Sequence, residues 1–165
     1  MPNLPITLAV IYESLRLRDL VMTLPKLVAE DTIIPYTTWD DNGTISHHTR
    51  AIKAGSHLII DSPALSRNPF AWNNSETFDP MRWITRTDPG INHFSGFSMG
   101  VRVCIGKRMA EIEMITVIGV MCKEFRMSHV AHHGEGREEM VKRVLKGSEE
   151  LNLRPPKFGL KLEKR

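Results

Sequence analysis

The sequence predicts a mainly α-helical fold with a small β lobe, and three observations indicate this class. Apolar residues recur at helical spacing near the start of the chain and again between Ile105 and about Phe125. Between these stretches, β-branched and aromatic residues precede the turn-forming sequence DDNG, Asp40 to Gly43. With 165 residues, of which 41% are hydrophobic and 25% charged, the chain is long enough for one domain with a core.

The composition excludes several kinds of protein. The formal net charge is +3, which is too small to indicate nucleic acid as a partner. Two cysteines cannot build a disulfide framework, so a reducing compartment is favoured over secretion. No apolar run approaches the ~20 residues that span a bilayer, and the N-terminal stretch lacks a basic flank and a small-residue cleavage site. We therefore expect no membrane anchor and no signal peptide in this chain.

The first element is a helix, predicted from about Pro5 to Leu17. Asn3 and Pro5 are favoured at helix starts, and leucine and isoleucine follow at helical spacing. Between residues 24 and 61 the pattern changes, because the segment before DDNG is rich in β-formers. The sequences TISHHTRAI and HLIID predict further strands, so this segment forms the β portion.

Irregular structure is expected between the β portion and the second long helix. SPALSRNPFAW indicates a short helix, and NNSETFDPMRW, dense in Pro, Asn and Ser, indicates a meander. Residues 84–103 show no clear period, and a helix follows from Ile105 to about Phe125, with Cys122 as a small core residue. Residues 135–147 form a charged stretch compatible with a helix. The tail LNLRPPKFGLKLEK alternates like a strand pair around its two prolines.

Cys104 is the strongest candidate for chemistry, because it lies in FSMGVRVCIG just before the second long helix. A helix N-terminus favours an anion, and the thiolate is the form of cysteine that binds metals. Zinc requires three or four ligands, but Cys104 has no CxxC partner and Cys122 lies about five helical turns further on. A single cysteine is sufficient when a porphyrin supplies the other donors. The alternative is a buried structural cysteine.

Glu13 and Arg16 form a second candidate pair. Three residues apart on the first helix, they lie on one face and are close enough to interact. Taken alone, such a pair is typical of a solvated helix surface, so this alternative stays open at this point.

FSMGVRVCIG matches F-x-x-G-x-R-x-C-x-G at every fixed position and resembles the haem-binding signature of the cytochrome P450 family. The resemblance implies that haem b (iron protoporphyrin IX) is the cofactor and that Cys104 is the axial ligand of its iron. It further implies that Arg102 holds a haem propionate, since a guanidinium fork suits a carboxylate. The other fixed positions that would shape the haem-binding loop are Phe97, Gly100 and Gly106.

Two further motifs resemble the same family. LPITLAVIYESLRL is similar to its K helix, whose E-x-x-R pair would be Glu13 and Arg16, and FDPMRW matches its F-x-P-x-R-[FW] pattern with Arg82. The resemblance implies that Arg82 locks onto this pair and that the three shape the fold without taking part in chemistry. Where the family often has a propionate-binding arginine, this chain has Lys26, which supplies charge but no bidentate fork.

The resemblance also has implications for domain organisation and function. Residues 1–165 would be the C-terminal portion of a single domain, with K helix, β segments, meander, cysteine loop and L helix, and without the membrane anchor and the central oxygen-activating helix. The implied activity is that of a monooxygenase that uses O2 and two electrons to oxidise a small apolar substrate. The alternative is a truncated, non-catalytic family remnant or an incomplete gene model, with at most weak haem binding.

The family also suggests a partner and a location. An electron-donating reductase would dock near Lys107 and Arg108, whose charges are otherwise ordinary for a helix surface or a propionate contact. The implied location is the cytosolic face of the endoplasmic reticulum membrane, although the chain itself is expected to have no anchor.

Overall fold

The computed structural model describes residues 5–40, 42–145, 148–149, 153–154 and 159–165. The chain divides into two compact units. The first unit contains the segment that ends at Met22 and the whole segment from Ser62 onward, and the second contains Thr23–Asp61. The predicted mainly helical class with a small β portion is confirmed. In the first unit, more of the described residues lie in helices than in its short strands.

Five α-helices are present in the described part of the chain: α1 (Pro5–Leu17), α2 (Ser62–Ser66), α3 (Arg82–Thr85), α4 (Lys107–Glu124) and α5 (Arg137–Leu145). Short 3-10 turns at Pro89–His93 and Gly100–Arg102 lie between α3 and α4. The predicted bounds of α1 agree with the structure. Helix α4 begins two residues later than predicted, because the backbone around Cys104 still turns tightly at that point.

The described strands are β1 (Thr23–Leu27), β2 (Thr32–Trp39), β3 (Ile45–Ile52), β4 (His57–Asp61), β5 (Phe125–His129), β6 (Ser148–Glu149), β7 (Leu153–Arg154) and β8 (Leu160–Lys164). They form two-stranded antiparallel sheets, in which β1 pairs with β4, β2 with β3, β5 with β8 and β6 with β7. The first four strands constitute the second unit. The others belong to the first unit.

The β2–β3 hairpin turns where DDNG predicts it. The Asp40 carboxylate accepts hydrogen bonds from the amides of Asn42 and Thr44, at 3.0 and 2.7 Å. Gly43 has φ of +79°, a conformation that glycine adopts without steric cost. The turn residues therefore fix the register of the hairpin, from Thr32 opposite Ile52 to Trp39 opposite Ile45.

The predicted tail pairing is wrong. The strands β7 and β8 do form, but β7 pairs with β6, and β8 pairs with β5, which directly follows α4. Alternation in a sequence predicts that a segment is extended, but it carries no information about a partner more than thirty residues away. The two prolines at 155 and 156 lie outside the described residues.

The interior of the first unit combines a small apolar core with a larger set of buried polar groups. Among its described residues, the buried apolar side chains are those of Ala9, Ile11, Leu15 and Trp72. Its buried polar or charged residues are Glu13, Arg16, Asp19, Ser62, Ser66, Arg82, Asp88, Ser95 and Glu111. Cys122 is exposed on α4, which contradicts its expected place in the core. The side of α4 that carries it has no described segment packed over it tightly enough to bury it.

None of the helices in the described residues is both long and apolar enough to cross a membrane.

The first prediction concerns Gly90, whose backbone lies against Trp72. A Cβ added at Gly90 would overlap the indole ring of Trp72, which is itself buried. Overpacking of this kind costs about 1–3 kcal/mol. We therefore expect Gly90→Ala to lower the free energy of unfolding by that amount in a urea titration.

Gly136→Ala is the matched control, because a Cβ there meets nothing within 4 Å. We expect its free energy of unfolding to be unchanged or slightly raised. Equal stability of the two variants would contradict the packing of Trp72 on Gly90.

Candidate functional site

Cys104 lies in a tight loop that leads into α4. Its amide donates to the carbonyl oxygen of Phe97 at 2.8 Å, and its own carbonyl oxygen accepts from the amide of Lys107 at 3.1 Å. The 3-10 turn Gly100–Arg102 lies between Phe97 and Cys104 in the sequence. These backbone hydrogen bonds hold Cys104 at the N-terminal end of the helix, where unpaired N–H groups favour a negative charge.

Two residues of this loop adopt left-handed backbone conformations. Gly100 has φ of +68° with nothing within 4 Å of where a Cβ would be, so conformation and not space requires glycine there. Ser98 has φ of +61°, an uncommon value for a residue with a side chain. Gly106 is different, because a Cβ there would lie 3.8 Å from the Cys104 sulfur, an ordinary contact. The start of α4 thus runs directly beside the sulfur.

The cysteine loop presents its sulfur and several apolar side chains to the surface. Cys104 is exposed, so the alternative of a buried structural cysteine is wrong. Val101 and Ile105, on either side of it, are fully exposed at 101% and 104%, and Met99 and Val103 are about half exposed. Contiguous exposed apolar groups of this kind are typical of a surface that binds a ligand or another protein.

The two cations that the sequence assigns to propionates differ in their surroundings. Arg102 is exposed in the cysteine loop and makes no ion pair within the described part of the chain. Lys26 is exposed on β1, where it lies opposite Leu58 of β4 in the second unit. The two side chains are therefore described in separate units.

Glu13 and Arg16 form a bidentate ion pair on α1. The guanidinium of Arg16 donates from Nε to one carboxylate oxygen and from Nη2 to the other, both at 2.9 Å. Both side chains are completely buried, so the alternative of a solvated surface pair is wrong. The remaining Arg16 donors bind the carbonyl oxygens of Ser66, Ser75 and Thr77, at 2.8, 2.6 and 3.1 Å.

Arg82, at the start of α3, reaches the same carboxylate. Its Nε lies 3.2 Å from Glu13 Oε1, and its Nη1 donates to the carboxylate of Asp88 and to the carbonyl oxygen of Asn73. Trp83 Nε1 donates to Glu13 Oε2 at 3.0 Å, and the amide of Asp79 donates to Oε1 at 2.8 Å. The structure therefore brings Glu13, Arg16 and Arg82 together in one hydrogen-bonded cluster.

Asp88 was missed by the sequence analysis. Two buried guanidiniums beside one carboxylate leave an uncompensated positive charge, which is costly in a protein interior. Asp88, buried and six residues after Arg82, supplies the second negative charge. This requirement for neutrality was the only available signal, because no motif spacing singles out Asp88 among the acidic residues.

The cluster keeps Glu13 ionised. Burial raises the pKa of this carboxyl, but hydrogen bonds from Arg16, the Asp79 amide and Trp83, together with the charge of Arg16, outweigh burial and hold the pKa below its ordinary value of 4.5. The ionised form is thus the one that the surrounding donors require.

Lys107 and Arg108 both approach the carboxylate of Glu111. Lys107 Nζ is 3.9 Å from Glu111 Oε1 and lies over the rings of Tyr12 and Phe97. Arg108 Nη1 is 3.6 Å from Glu111 Oε2, and its side chain is 75% exposed. Arg108 is therefore the more accessible of the two cations.

The second prediction tests the ion-pair cluster. Arg82→Ala leaves the carboxylates of Glu13 and Asp88 buried without their shared partner, which costs about 3–5 kcal/mol. We expect a loss of this size in the free energy of unfolding. Arg82→Lys keeps the charge but not the planar fork, so it recovers only part of the loss.

Arg86→Ala is the control, since Arg86 is an exposed arginine four residues further on. We expect it to change the free energy of unfolding by less than about 0.5 kcal/mol. A loss below 1 kcal/mol for Arg82→Ala, similar to that for Arg86→Ala, would show that the cluster does not stabilise the fold.

Comparison with protein families and curated proteins gives a consistent result. The family described as Cytochrome P450 matches residues 1–155. Over 125 residues the chain is 32% identical to the human mitochondrial cholesterol side-chain cleavage enzyme. The aligned region covers 74% of this chain and 21% of that enzyme. Over 127 residues the chain is 29% identical to the enzyme of the same name from Hypanus americanus, covering 77% and 22%. The chain thus spans about a fifth of the length of these curated relatives.

Solved structures agree in fold. A zebra fish cytochrome P450 solved with abiraterone superimposes with a TM-score of 0.75 at 24% identity, covering 99% of this chain and 34% of that chain.

The expected location at the endoplasmic reticulum is wrong. The curated relatives from human and Hypanus americanus are both described as mitochondrial, as is a rat relative that is 30% identical over 127 residues and covers 77% of this chain and 22% of its own length. The motifs that carried the expectation concern the fold and the haem loop, and such motifs contain no targeting information.

Proposed function

Since the chain belongs to the cytochrome P450 family, we propose that Cys104 is the axial thiolate ligand of haem iron. The observation that carries the proposal is that Cys104 is an exposed residue at the N-terminal end of α4. The whole protein would be a monooxygenase that oxidises a small apolar molecule. Residues 1–165 would form the C-terminal portion of its single domain.

The residues around Cys104 fit a haem. A flat apolar macrocycle would cover Val101 and Ile105, whose side chains are otherwise fully exposed to water. The guanidinium of Arg102 has no ion-pair partner among the described residues and would bind a propionate. From the family resemblance alone, and not from its position, Lys26 is proposed as a weaker, purely ionic contact to a propionate.

Haem iron bound by a thiolate supplies the activation of O2, with two electrons from a partner protein. The chain's own contribution is to keep the sulfur anionic and in place. The start of α4 favours the thiolate through its partial positive charge, and the left-handed turn at Gly100 directs the loop around the sulfur. Phe97 contributes its carbonyl oxygen to the Cys104 amide and its ring to the half-buried base of the loop.

Glu13, Arg16 and Arg82 are proposed to support this loop without taking part in chemistry. Their cluster joins α1 to the meander that runs from Ser66 through Asp88. The cysteine loop begins nine residues after Asp88, so the cluster fixes the end of the segment that leads into it. All five N–H donors of Arg16 and most of those of Arg82 are hydrogen-bonded, which makes this connection rigid.

The third prediction tests the ligand. Haem is added to the purified chain, the iron is reduced, and carbon monoxide is bound, and we expect the red-shifted Soret band that is typical of a thiolate ligand. Cys104→Ala removes the thiolate, so we expect this variant to lose the red-shifted band. Cys122→Ala is the matched control, because Cys122 is also an exposed thiol, and it should keep the band.

Absence of the band in the unmodified chain, or its persistence in Cys104→Ala, would refute the ligand assignment. Turnover with an electron donor is a separate measurement. Haem ligation without turnover would favour the alternative of a non-catalytic remnant for these 165 residues, whereas turnover by the chain alone would exclude it.

An electron-donating protein with an acidic surface is proposed to dock at the start of α4. Arg108 supports this proposal because its side chain is 75% exposed beside the cysteine loop. Lys107 contributes less, since its ammonium group already lies over two aromatic rings and near Glu111. Charges at the edge of an interface act mainly on the association rate and are screened by salt.

The fourth prediction follows from this difference. Arg108→Glu should weaken the binding of an acidic electron-donating protein, for which a ferredoxin serves as the probe, about fivefold or more at low salt, with a smaller effect at high salt. Lys123→Glu, an identical charge reversal at the opposite end of α4, should have little effect. Equal effects of both variants would place the docking surface elsewhere or attribute binding to net charge alone.

A further inference from the structure

The one buried residue of α4 within the described part of the chain is a carboxylate. Glu111 is 6% exposed, while the apolar residues of the same helix are half-buried or exposed. Tyr12 of α1 donates a hydrogen bond from its hydroxyl to Glu111 Oε1 at 2.5 Å. The two long helices of the first unit are therefore joined by a directional polar contact at the point where α4 is most deeply buried.

Tyr12 is held firmly enough to act as a fixed donor. Its ring packs against those of Trp83, Phe94 and Phe97, with centroid distances of 5.2, 5.4 and 6.4 Å. Burial, followed by the hydrogen bond to Glu111, raises the pKa of the Tyr12 hydroxyl, so this group stays protonated and remains a donor. Tyr12 also directly precedes Glu13, the centre of the ion-pair cluster.

The charged groups that face Glu111 are Lys107 and Arg108, at 3.9 and 3.6 Å from its two oxygens. Both belong to the first turn of α4, which follows Cys104. Lys107 also lies over the ring of Phe97, whose carbonyl oxygen accepts the hydrogen bond of the Cys104 amide. Glu111 thus contacts the cysteine loop through Lys107 on one side and α1 through Tyr12 on the other.

We propose that Tyr12 and Glu111 are positioning residues for Cys104, which set the rotation and height of the start of α4 relative to α1. A hydrogen bond between a hydroxyl and a carboxylate oxygen is strong only over a narrow range of distances and angles, whereas an apolar contact tolerates more rotation and sliding. A rotation of α4 by one residue, about 100°, would carry Glu111 away from Tyr12 and move the sulfur with the helix. The consequence for haem ligation rests on the proposed function, while the consequence for the loop itself does not.

The first experiment needs no haem. Amide hydrogen exchange of Cys104 and Lys107 is measured in the purified chain, because both amides are bonded within the loop. Tyr12→Phe removes only the hydroxyl, and we expect exchange at these two amides to rise about tenfold. The Trp72 amide, which donates to Asn68 in the core of the same unit, should keep its rate.

Glu111→Gln is the second variant. Its amide oxygen still accepts from Tyr12 but no longer attracts Lys107 and Arg108, so we expect a smaller rise than in Glu111→Ala. The controls are Tyr36→Phe, an exposed tyrosine of β2, and Glu113→Gln, an exposed glutamate on α4, and both should leave exchange unchanged. Unchanged exchange in Tyr12→Phe, or an equal rise at Trp72, would overturn the proposal, since the latter indicates a general loss of stability.

The second experiment measures the Soret band of the reduced carbon monoxide complex. Tyr12→Phe and Glu111→Ala should lower the fraction of haem that gives the thiolate band at least threefold, and Glu111→Gln should retain more of it. A chain that shows no thiolate band at all refutes the ligand assignment, but the exchange measurement then still decides whether Tyr12 and Glu111 position the loop. A full thiolate band in both variants, with unchanged exchange, overturns the positioning proposal alone.

Discussion

The structure of the first unit depends on the carboxylate of Glu13. Its two oxygens accept hydrogen bonds from Arg16, Arg82, Trp83 and the amide of Asp79, and no solvent reaches it. A buried carboxylate is tolerable only when its charge and all of its acceptor positions are satisfied. The conformation of the meander therefore follows from the geometry of one side chain on α1, because each donor must reach that side chain.

This constraint explains why the unit holds together with few buried apolar residues. The carbonyl oxygens of Ser66, at the end of α2, and of Ser75 and Thr77 accept hydrogen bonds from Arg16. The irregular chain that follows α2 is therefore fixed by backbone-to-guanidinium hydrogen bonds. Its own amides and carbonyls would otherwise need water or a sheet partner. The buried ring of Trp72 packs against the guanidinium of Arg16, whose central carbon lies 5.2 Å from the ring centroid. This contact adds apolar packing and a cation–π interaction to the hydrogen bonds of Arg16.

Local patterns in the sequence predicted the elements well and their partners less well. The bounds of α1, the DDNG hairpin and the cluster around Glu13 follow from spacing, turn chemistry and motifs, each of which lies within a short stretch. The partner of β8 could not be predicted, because strand pairing depends on the position of β5 in space. Asp88 and the Tyr12–Glu111 contact were missed for a related reason. Their importance depends on burial, and a carboxylate on a charged helix such as α4 is usually exposed.

The two exposed thiols of this chain have a consequence for its handling in air. Cys104 and Cys122 lie at opposite ends of α4, separated by roughly 27 Å along the helix, whereas a disulfide requires Cα atoms within about 7 Å. Oxidation therefore links different molecules, and a chain with two such thiols can extend into open-ended, covalently joined oligomers. With Cys104 bound as the proposed haem ligand, only the thiol of Cys122 would remain, and cross-linking would stop at the covalent pair.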